Sequence, residues 1–151
     1  MTESPHIRVT LIDEQQVLVD KGRIIEVATK TAMTEGACGE IHITLADPQR
    51  MASLNAQFLS QEGPTDVISF PIDGLVTQPA HDGPPIVVGE IVMSPQIAIA
   101  QAKGDPEQEI DLLVAHGVLH LLGFDHETDE QAEVMRERER AVTGQAGARS
   151  R

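Results

Sequence analysis

The sequence predicts one domain of mixed α/β (α+β) class, with a small mixed four-stranded sheet flanked by helices. The length of 151 residues and the apolar content of 40% suffice for one hydrophobic core but are small for two. Short segments rich in β-branched residues alternate with helical patterns along the chain. We expect the domain to span residues 1–142, and the small, polar residues 143–151 to form a flexible tail.

The first half of the chain alternates between strand and helix patterns. Residues 7–12 and 40–45 are predicted strands because β-branched residues dominate them, and apolar residues alternate in the second. Between them, residues 16–33 carry apolar side chains at helical spacing, with an interruption at Gly22. These three segments predict a βαβ unit.

The middle of the chain predicts one further helix and two further strands. Asp47 is followed by proline, which is the signature of an N-cap and first helical residue, and the helix is expected to run through Leu59. Residues 67–70 and 86–93 are predicted strands. The glycine, proline and aspartate content of residues 73–85 predicts a mobile loop between them.

Capping signals mark the last two helices. Asp105, again followed by proline, predicts the start of one helix, and Gly123 lies beyond its end. Thr128 and Gln131 form a capping box for a final helix that runs to about residue 142. The predicted core stripe of the first of these helices consists of Ile110, Leu113, Val114, Gly117 and Leu121.

Three closely spaced histidines indicate a metal site. His116 and His120 share one face of the predicted helix, and Gly123 permits the left-handed turn that brings His126 back toward that face. Three neutral imidazoles suit a divalent ion such as zinc and leave one coordination position for water. The sequence therefore predicts one zinc ion per chain on His116, His120 and His126, in a site that is open for catalysis.

The spacing of these histidines is that of the metzincin zinc peptidases, so we expect a zincin-like metal helix. Those peptidases carry glutamate directly after the first histidine as the general base, whereas this chain has Gly117. Glycine cannot move a proton, which disfavours peptidase chemistry. A structural explanation of Gly117 is that its missing side chain lets another backbone approach closely.

Charge and composition restrict the partners. The net charge of −13 repels polyanions, and the chain has three phenylalanines and no Trp or Tyr to stack on bases. Any nucleic-acid surface should therefore be local. Its candidate basic residues are Arg8, Lys21, Arg23, Lys30, Arg50, Lys103 and the carboxy-terminal arginines.

The sequence gives no sign of export or membrane insertion. No apolar run approaches the roughly 20 residues of a membrane span, and the amino terminus lacks the basic and apolar blocks of a signal peptide. The single cysteine, Cys38, cannot form an internal disulfide and fits a reducing compartment. We expect a cytoplasmic protein without a membrane partner.

Together with the histidines, a second block of residues resembles the YbeY family of rRNA maturation endoribonucleases, over about residues 7–142. The matching residues are Leu54, Asn55, Phe58, the Gly-Pro-Thr-Asp-Val-Ile-Ser-Phe-Pro run from Gly63 to Pro71, the Gly-Glu-Ile run from Gly89 to Ile91, and the run from His116 to His126. The resemblance implies zinc on the three histidines. It also implies single-strand-specific, metal-dependent endoribonuclease activity in 16S rRNA 3′-end maturation and ribosome quality control, with rRNA and the small subunit or its associated proteins as partners.

The chain departs from the family pattern in places. Leu59 stands where many members have an arginine suited to hold a phosphate, and Glu90 stands where they have aspartate. A Met-Phe pair of the last helix is Met135-Arg136 here, with Glu139 still at the matching offset. Two alternatives to the enzyme stay open, which are a noncatalytic zinc-binding ribosome-assembly factor and a metallopeptidase.

Catalytic side chains are not assigned by the sequence. Asp125 is a candidate for orienting a ligand imidazole or for a plain turn acid, and Asp66 for a proton shuttle or an Asx-turn. Ser69 either lines the cleft or caps a backbone group, and we favour the cap. The nucleophile also stays open between hydroxide attacking phosphorus and a deprotonated ribose 2′-OH.

Overall fold

A computed structural model describes residues 6–14, 19–59, 65–79 and 83–144 of the chain. The described residues confirm the predicted class, with a four-stranded sheet and flanking helices. In chain order the elements are β1 (Ile7–Asp13), α1 (Lys21–Thr34), β2 (Gly39–Leu45), α2 (Pro48–Leu59), β3 (Val67–Pro71), β4 (Val87–Met93), α3 (Pro95–Gln101), α4 (Pro106–Leu121) and α5 (Asp129–Thr143).

The sheet is mixed and has the strand order β1-β2-β4-β3. β1, β2 and β4 run parallel, with Ile7 beside Gly39 and Leu45 beside Met93, so the predicted βαβ unit is confirmed. β3 pairs antiparallel with β4 and forms an edge of the sheet. This edge strand packs against α4, the helix that carries the first two histidines.

Each face of the sheet has its own hydrophobic core. One face packs against α1 and α4, with buried side chains that include Ile24, Ile41 and Leu113. The other packs against α2, with Met51 and Ile68 in the cluster. Neighbouring residues of a strand point to opposite faces, so β4 contributes Ile91 to the first core and Val92 to the second.

Most helix starts agree with the predicted caps. Asp47 accepts a hydrogen bond from the backbone N–H of Arg50 at 2.6 Å, and Asp105 caps α4. The capping box of Thr128 and Gln131 opens α5 as predicted. α5 ends at Thr143, and residues 145–151 of the predicted tail lie outside the described residues.

The predicted start of α1 at residue 16 was wrong. The helix begins at Lys21, because the Asp20 side chain accepts a hydrogen bond from the backbone N–H of Arg23 at 3.0 Å and caps it. Gly22 therefore lies in the first turn, where it interrupts nothing. Residues 15–18 lie outside the described part of the chain.

The short helix α3 was missed. Ser94 accepts a hydrogen bond from the backbone N–H of Ile97 at 3.3 Å, and Pro95 occupies the first helical position. This is the same cap-and-proline signal that predicted α2 and α4. α3 turns the chain after β4 and leads it into α4.

The segment after β3 is tied to the sheet where it is described. Asp73 accepts a hydrogen bond from the backbone N–H of Val87 at 2.8 Å, and Cys38 donates its backbone N–H to the carbonyl of Val76 at 2.7 Å. Residues 80–82 of the predicted mobile loop lie outside the described residues. None of the described helices is long and apolar enough to cross a membrane.

Candidate metal centre

The three histidines come from the carboxyl end of α4 and the turn that follows it. α4 ends at Leu121, and Gly123 adopts the left-handed conformation with φ of 99°. The N–H of Gly123 donates to the carbonyl of His120 at 3.1 Å, and that of Phe124 donates to the carbonyl of Leu119 at 3.0 Å. These two bonds form a Schellman motif, which reverses the chain and confirms the predicted turn.

The turn brings His126 back to the face of α4 that carries His116 and His120. One ring nitrogen from each of the three histidines lies within 4.8 Å of those of the other two. The Nε2 atoms of His116 and His120 are 3.1 Å apart. Among the described residues, this is the group of His, Cys, Asp or Glu side chains that converges in this way.

The donor atoms fit a zinc ion. Tetrahedral zinc with nitrogen ligands at about 2.0–2.1 Å places neighbouring nitrogens about 3.3–3.4 Å apart, close to the separation seen here. Burial, with the nearby His116 as the next cause, lowers the pKa of His120 from 6.5 to about 4. The imidazole of His120 is therefore neutral at neutral pH, which is the form that binds metal.

The cluster is open on one side. His116 is 2% exposed, whereas His120 and His126 are half-buried. A ligand or substrate therefore has access from the side of His120 and His126. Such asymmetry is expected of a catalytic metal site, because structural sites close all four positions with protein ligands.

Gly117 follows the first ligand and faces the sheet. A Cβ atom on Gly117 would lie 3.3 Å from Ile91 Cδ1 and 3.3 Å from Val67 Cγ2. The predicted close approach is therefore present, but the neighbours are side chains of β4 and β3, whereas we expected a backbone. A glutamate here, as in the metzincins, would have to displace these side chains.

Ser69 connects β3 to the metal helix. Its hydroxyl donates a hydrogen bond to the carbonyl of Gly117 at 3.0 Å, which confirms the predicted backbone cap. The bond ties the edge strand to the residue that directly follows His116. β3 therefore forms a fixed wall beside the metal centre.

Glu139 was missed as part of this site. Its side chain is 1% exposed, and Oε2 lies 3.1 Å from Nδ1 of His116. The sequence carried a signal for it, since Glu139 lies at helical spacing from Met135 and Val142, which are both buried. A carboxylate in the buried stripe of a helix requires a partner, and the imidazole of His116 is one.

The sequence model of the family described as Endoribonuclease YbeY matches residues 6–147. The chain belongs to the YbeY family. A relative described as Endoribonuclease YbeY from Thermobifida fusca is 37% identical over 133 residues, covering 83% of this chain and 86% of the relative. A second relative with the same description, from Kineococcus radiotolerans, is 43% identical over 112 residues. This match covers 70% of this chain and 64% of that relative.

A solved structure supports the fold. The solution structure of TM1509 from Thermotoga maritima superposes with a TM-score of 0.57 at 26% sequence identity. The match covers 91% of this chain and 89% of that protein. The overall fold is therefore similar to that of this protein at low sequence identity.

The second YbeY-family block packs α2 onto the edge strand. Leu54 is buried with Ile68 of β3, and the rings of Phe58 and Phe70 meet edge to face at 5.5 Å between centroids. Leu59 is the last residue of α2, and its side chain lies outside what the structure describes. This block therefore supports the strand that lines the metal centre.

The two aspartates of interest have different surroundings in this YbeY-family chain. Asp125 accepts a hydrogen bond from the backbone N–H of His126 at 2.8 Å, which is the predicted turn role. Its charge also acts on His120, where it opposes the lowering of the pKa. Asp66 is fully buried, and its backbone carbonyl accepts from Ser94 at 2.9 Å. Both roles predicted for its carboxylate stay predictions.

Three of the candidate basic residues, Lys21, Arg23 and Arg50, lie in ion pairs. Lys21 pairs with Asp13 at 3.2 Å, and Arg23 pairs with Asp111 at 2.7 Å. Arg50 lies 3.9 Å from Glu14. Asp111 precedes His116 by five residues, about 7.5 Å along the helix axis at about 1.5 Å per residue. Each of these three cations therefore has a carboxylate nearby.

Proposed function

We propose that this chain is a single-strand-specific, metal-dependent endoribonuclease that acts in 16S rRNA 3′-end maturation and ribosome quality control. Family membership supports the reaction class, since the relatives are described as endoribonucleases. The observation that carries the proposal is the convergence of three histidines around a point that is open on one side. The proposed role places the protein in the cytoplasm, with rRNA as substrate.

The proposed cofactor is one zinc ion per chain, held by His116, His120 and His126. Bound zinc lowers the pKa of water to about 7 and polarises a phosphoryl oxygen, which are the two functions that RNA cleavage requires. His116 fixes the closed side of the site, while the half-buried His120 and His126 form its open side. Gly117 supplies no proton acceptor, and Asp125 is bonded to the backbone.

The charge distribution supports a role for partner proteins. The net charge is −13, and Lys21, Arg23 and Arg50 are each near a carboxylate. Free RNA therefore meets little positive charge from these residues. We propose that the small subunit or its associated proteins present the rRNA strand to the site.

The test is cleavage of precursor rRNA by proteins purified from a nuclease-free background. The zinc-loaded protein should cut, and His116→Ala and His120→Ala should not. His42→Ala is the matched control, because His42 lies on β2 outside the cluster with a 40% exposed side chain. If cleavage survives in both site variants, the ribonuclease proposal is wrong.

Product ends add mechanistic detail to the same assay. A 2′,3′-cyclic phosphate would identify the ribose 2′-OH as the nucleophile, whereas a linear phosphate as the first product would identify water. Because small-subunit proteins are proposed to present the substrate, the assay should include precursor rRNA in small-subunit particles as well as free RNA. Cleavage restricted to the particles would support delivery by partners.

A noncatalytic assembly factor is the second candidate. The ion pairing of Lys21, Arg23 and Arg50 favours it, because a protein that does not hold an RNA strand itself needs no free cations. Association of the zinc-loaded protein with small-subunit particles, without cleavage in either assay, would establish this role. A metallopeptidase would instead hydrolyse casein, which we do not expect because Gly117 stands in the position of the base.

A further inference from the structure

Glu139 is a buried acid on an otherwise polar helix. α5 exposes most of its side chains, but Met135, Glu139 and Val142 face the interior. The side chain of Glu139 is 1% exposed. Burial of a carboxylate is unfavourable unless charge or hydrogen bonds compensate it. A buried carboxylate at this position therefore needs a compensating partner.

That interaction is with the least exposed ligand of the metal centre. Oε2 of Glu139 accepts a hydrogen bond from Nδ1 of His116 at 3.1 Å. A proton on Nδ1 leaves the lone pair of His116 on Nε2. Nε2 is the atom that lies 3.1 Å from Nε2 of His120, inside the cluster. The hydrogen bond thus selects the tautomer whose lone pair points to the metal position.

The other carboxylate oxygen is also informative. Oε1 of Glu139 is buried and has no hydrogen-bond partner among the described residues. The imidazoles of His120 and His126 contribute no negative charge to the cluster. A dication at the cluster would place positive charge next to this incompletely paired acid. Glu139 therefore fits a site that holds a metal ion better than it fits a role in packing alone.

We infer that Glu139 is the positioning residue of the metal centre: it fixes the tautomer and the ring orientation of His116 and thereby sets the metal affinity. The inference rests on the metal-binding part of the proposed function. Glu139 acts through His116 and is not itself a ligand or a base. A simple packing role for Glu139 would affect the docking of α5 onto α4 but not the histidine.

The test compares near-isosteric variants by zinc affinity, measured in competition with a chelator. Glu139→Met removes the acceptor and should weaken binding about 10–100-fold. Glu139→Gln keeps an acceptor oxygen but no charge, so its zinc affinity should lie between that of Glu139→Met and that of the unaltered protein. The matched control is Met135→Leu, one turn earlier on the same buried stripe, which should bind zinc as the unaltered protein does. Folding of each apo variant is checked by circular dichroism.

A second measurement separates positioning from packing. Long-range ¹⁵N–¹H correlation spectra of the apo protein should show His116 as the Nδ1–H tautomer. In Glu139→Met that preference should be lost. If Glu139→Met does not fold, Glu139→Asp replaces it, because the shorter side chain keeps the charge but withdraws the oxygen from Nδ1. Glu139→Asp should show the same loss of zinc affinity and the same loss of the Nδ1–H preference of His116.

The inference is overturned if a folded Glu139→Met or Glu139→Asp variant binds zinc within twofold of the unaltered protein and keeps the same tautomer. Neither readout uses RNA. Absence of RNA cleavage by the zinc-loaded protein would therefore refute the ribonuclease proposal and leave this inference standing. Absence of zinc binding by the unaltered protein would overturn the metal centre and the inference together.

Discussion

The two ends of α4 differ in how their polar groups are balanced. Near its amino end, Asp111 and Glu107 are bridged by Arg23 of α1, with bonds of 2.7–2.9 Å to Asp111 and 2.6 Å to Glu107. These carboxylates, Asp111 above all, raise the pKa of Arg23 above its ordinary value. Near the carboxyl end, the same helix carries His120, whose pKa is lowered to about 4 by burial and by His116.

The amino end of α4 carries a balanced set of ion pairs that stabilise the fold, whereas the carboxyl end carries the candidate metal site. At the Arg23 end, opposite charges satisfy each other, so no further ligand is needed. At the histidine end, three imidazoles crowd together, with Glu139 in contact with His116 and the charge of Asp125 acting on His120. Such a cluster has unused donor atoms, which is the condition for binding an ion. The following predictions test whether the two ends are independent.

The largest effect is expected for His120→Ala. Loss of a direct ligand should weaken zinc binding by more than about 100-fold, since loss of a hydrogen-bonded partner of a ligand already costs about 10–100-fold. The stability of the apo protein should stay the same or rise, because a crowded imidazole is removed. Calorimetric zinc titration and urea unfolding measure the two quantities. A variant with lower apo stability would show that the cluster also supports the fold.

Arg23→Met should have the converse effect. Asp111 is 8% exposed, and without Arg23 its carboxylate loses both hydrogen bonds, so the free energy of unfolding should fall by about 1–3 kcal/mol. Zinc affinity should not change. Urea unfolding and chelator competition measure these outcomes, with Arg136→Met as the control, since Arg136 pairs with an exposed Glu133. A weaker zinc affinity in Arg23→Met would show coupling between the ends.

Gly123→Ala tests the turn between the ligands. An alanine at φ of 99° is strained, and the free energy of unfolding should fall by about 1–2 kcal/mol. Because the turn positions His126, zinc affinity should fall as well. Gly104→Ala is the control, since a Cβ there meets no atom within 4 Å and Gly104 is not among the residues with positive φ. Equal behaviour of the two variants would contradict a role for the Schellman turn.

The smallest effect concerns pH. The pKa of His120 is about 4 in the folded chain against 6.5 as the ordinary value, so between these limits the unfolded chain binds more protons. The folded protein therefore loses stability as the pH falls from 6.5 toward 4, because His120 binds a proton more readily in the unfolded chain, and this penalty is absent above pH 6.5. Urea unfolding of the apo protein should show this loss, and His120→Gln should show less of it. Parallel pH profiles for the two proteins would argue against the lowered pKa.

Local signals predicted most of the fold. Asp47, Asp105 and Thr128 marked helix starts correctly because a cap bonds to a backbone group two or three residues away. The start of α1 was wrong because an apolar pattern does not specify a cap, and Asp20 does. α3 was missed although Ser94 and Pro95 carry the same local signal.

In the candidate site, as in the fold, local features were predicted from the sequence and contacts between distant elements were not. The three histidines lie within one helix and its turn, so their spacing alone predicted the cluster. The contact of His116 with Glu139 and that of Ser69 with Gly117 join different elements, 23 and 48 residues apart in sequence. No local pattern specifies such partners, because the packing of α5 and β3 onto α4 determines them. A buried acid on α5 was the available hint for Glu139.

The Schellman turn has a consequence for how the ion would be captured. Bringing the ends of a flexible loop together costs conformational entropy that grows with the logarithm of loop length. Here His116 and His126 lie at the ends of a short segment, and the backbone hydrogen bonds of Gly123 and Phe124 already hold the turn between them in place. Little chain entropy remains to be lost when the donors close on a metal ion. Because the donor atoms are already assembled, little of the free energy of coordination is needed to order the chain, and most of it is available to hold the ion.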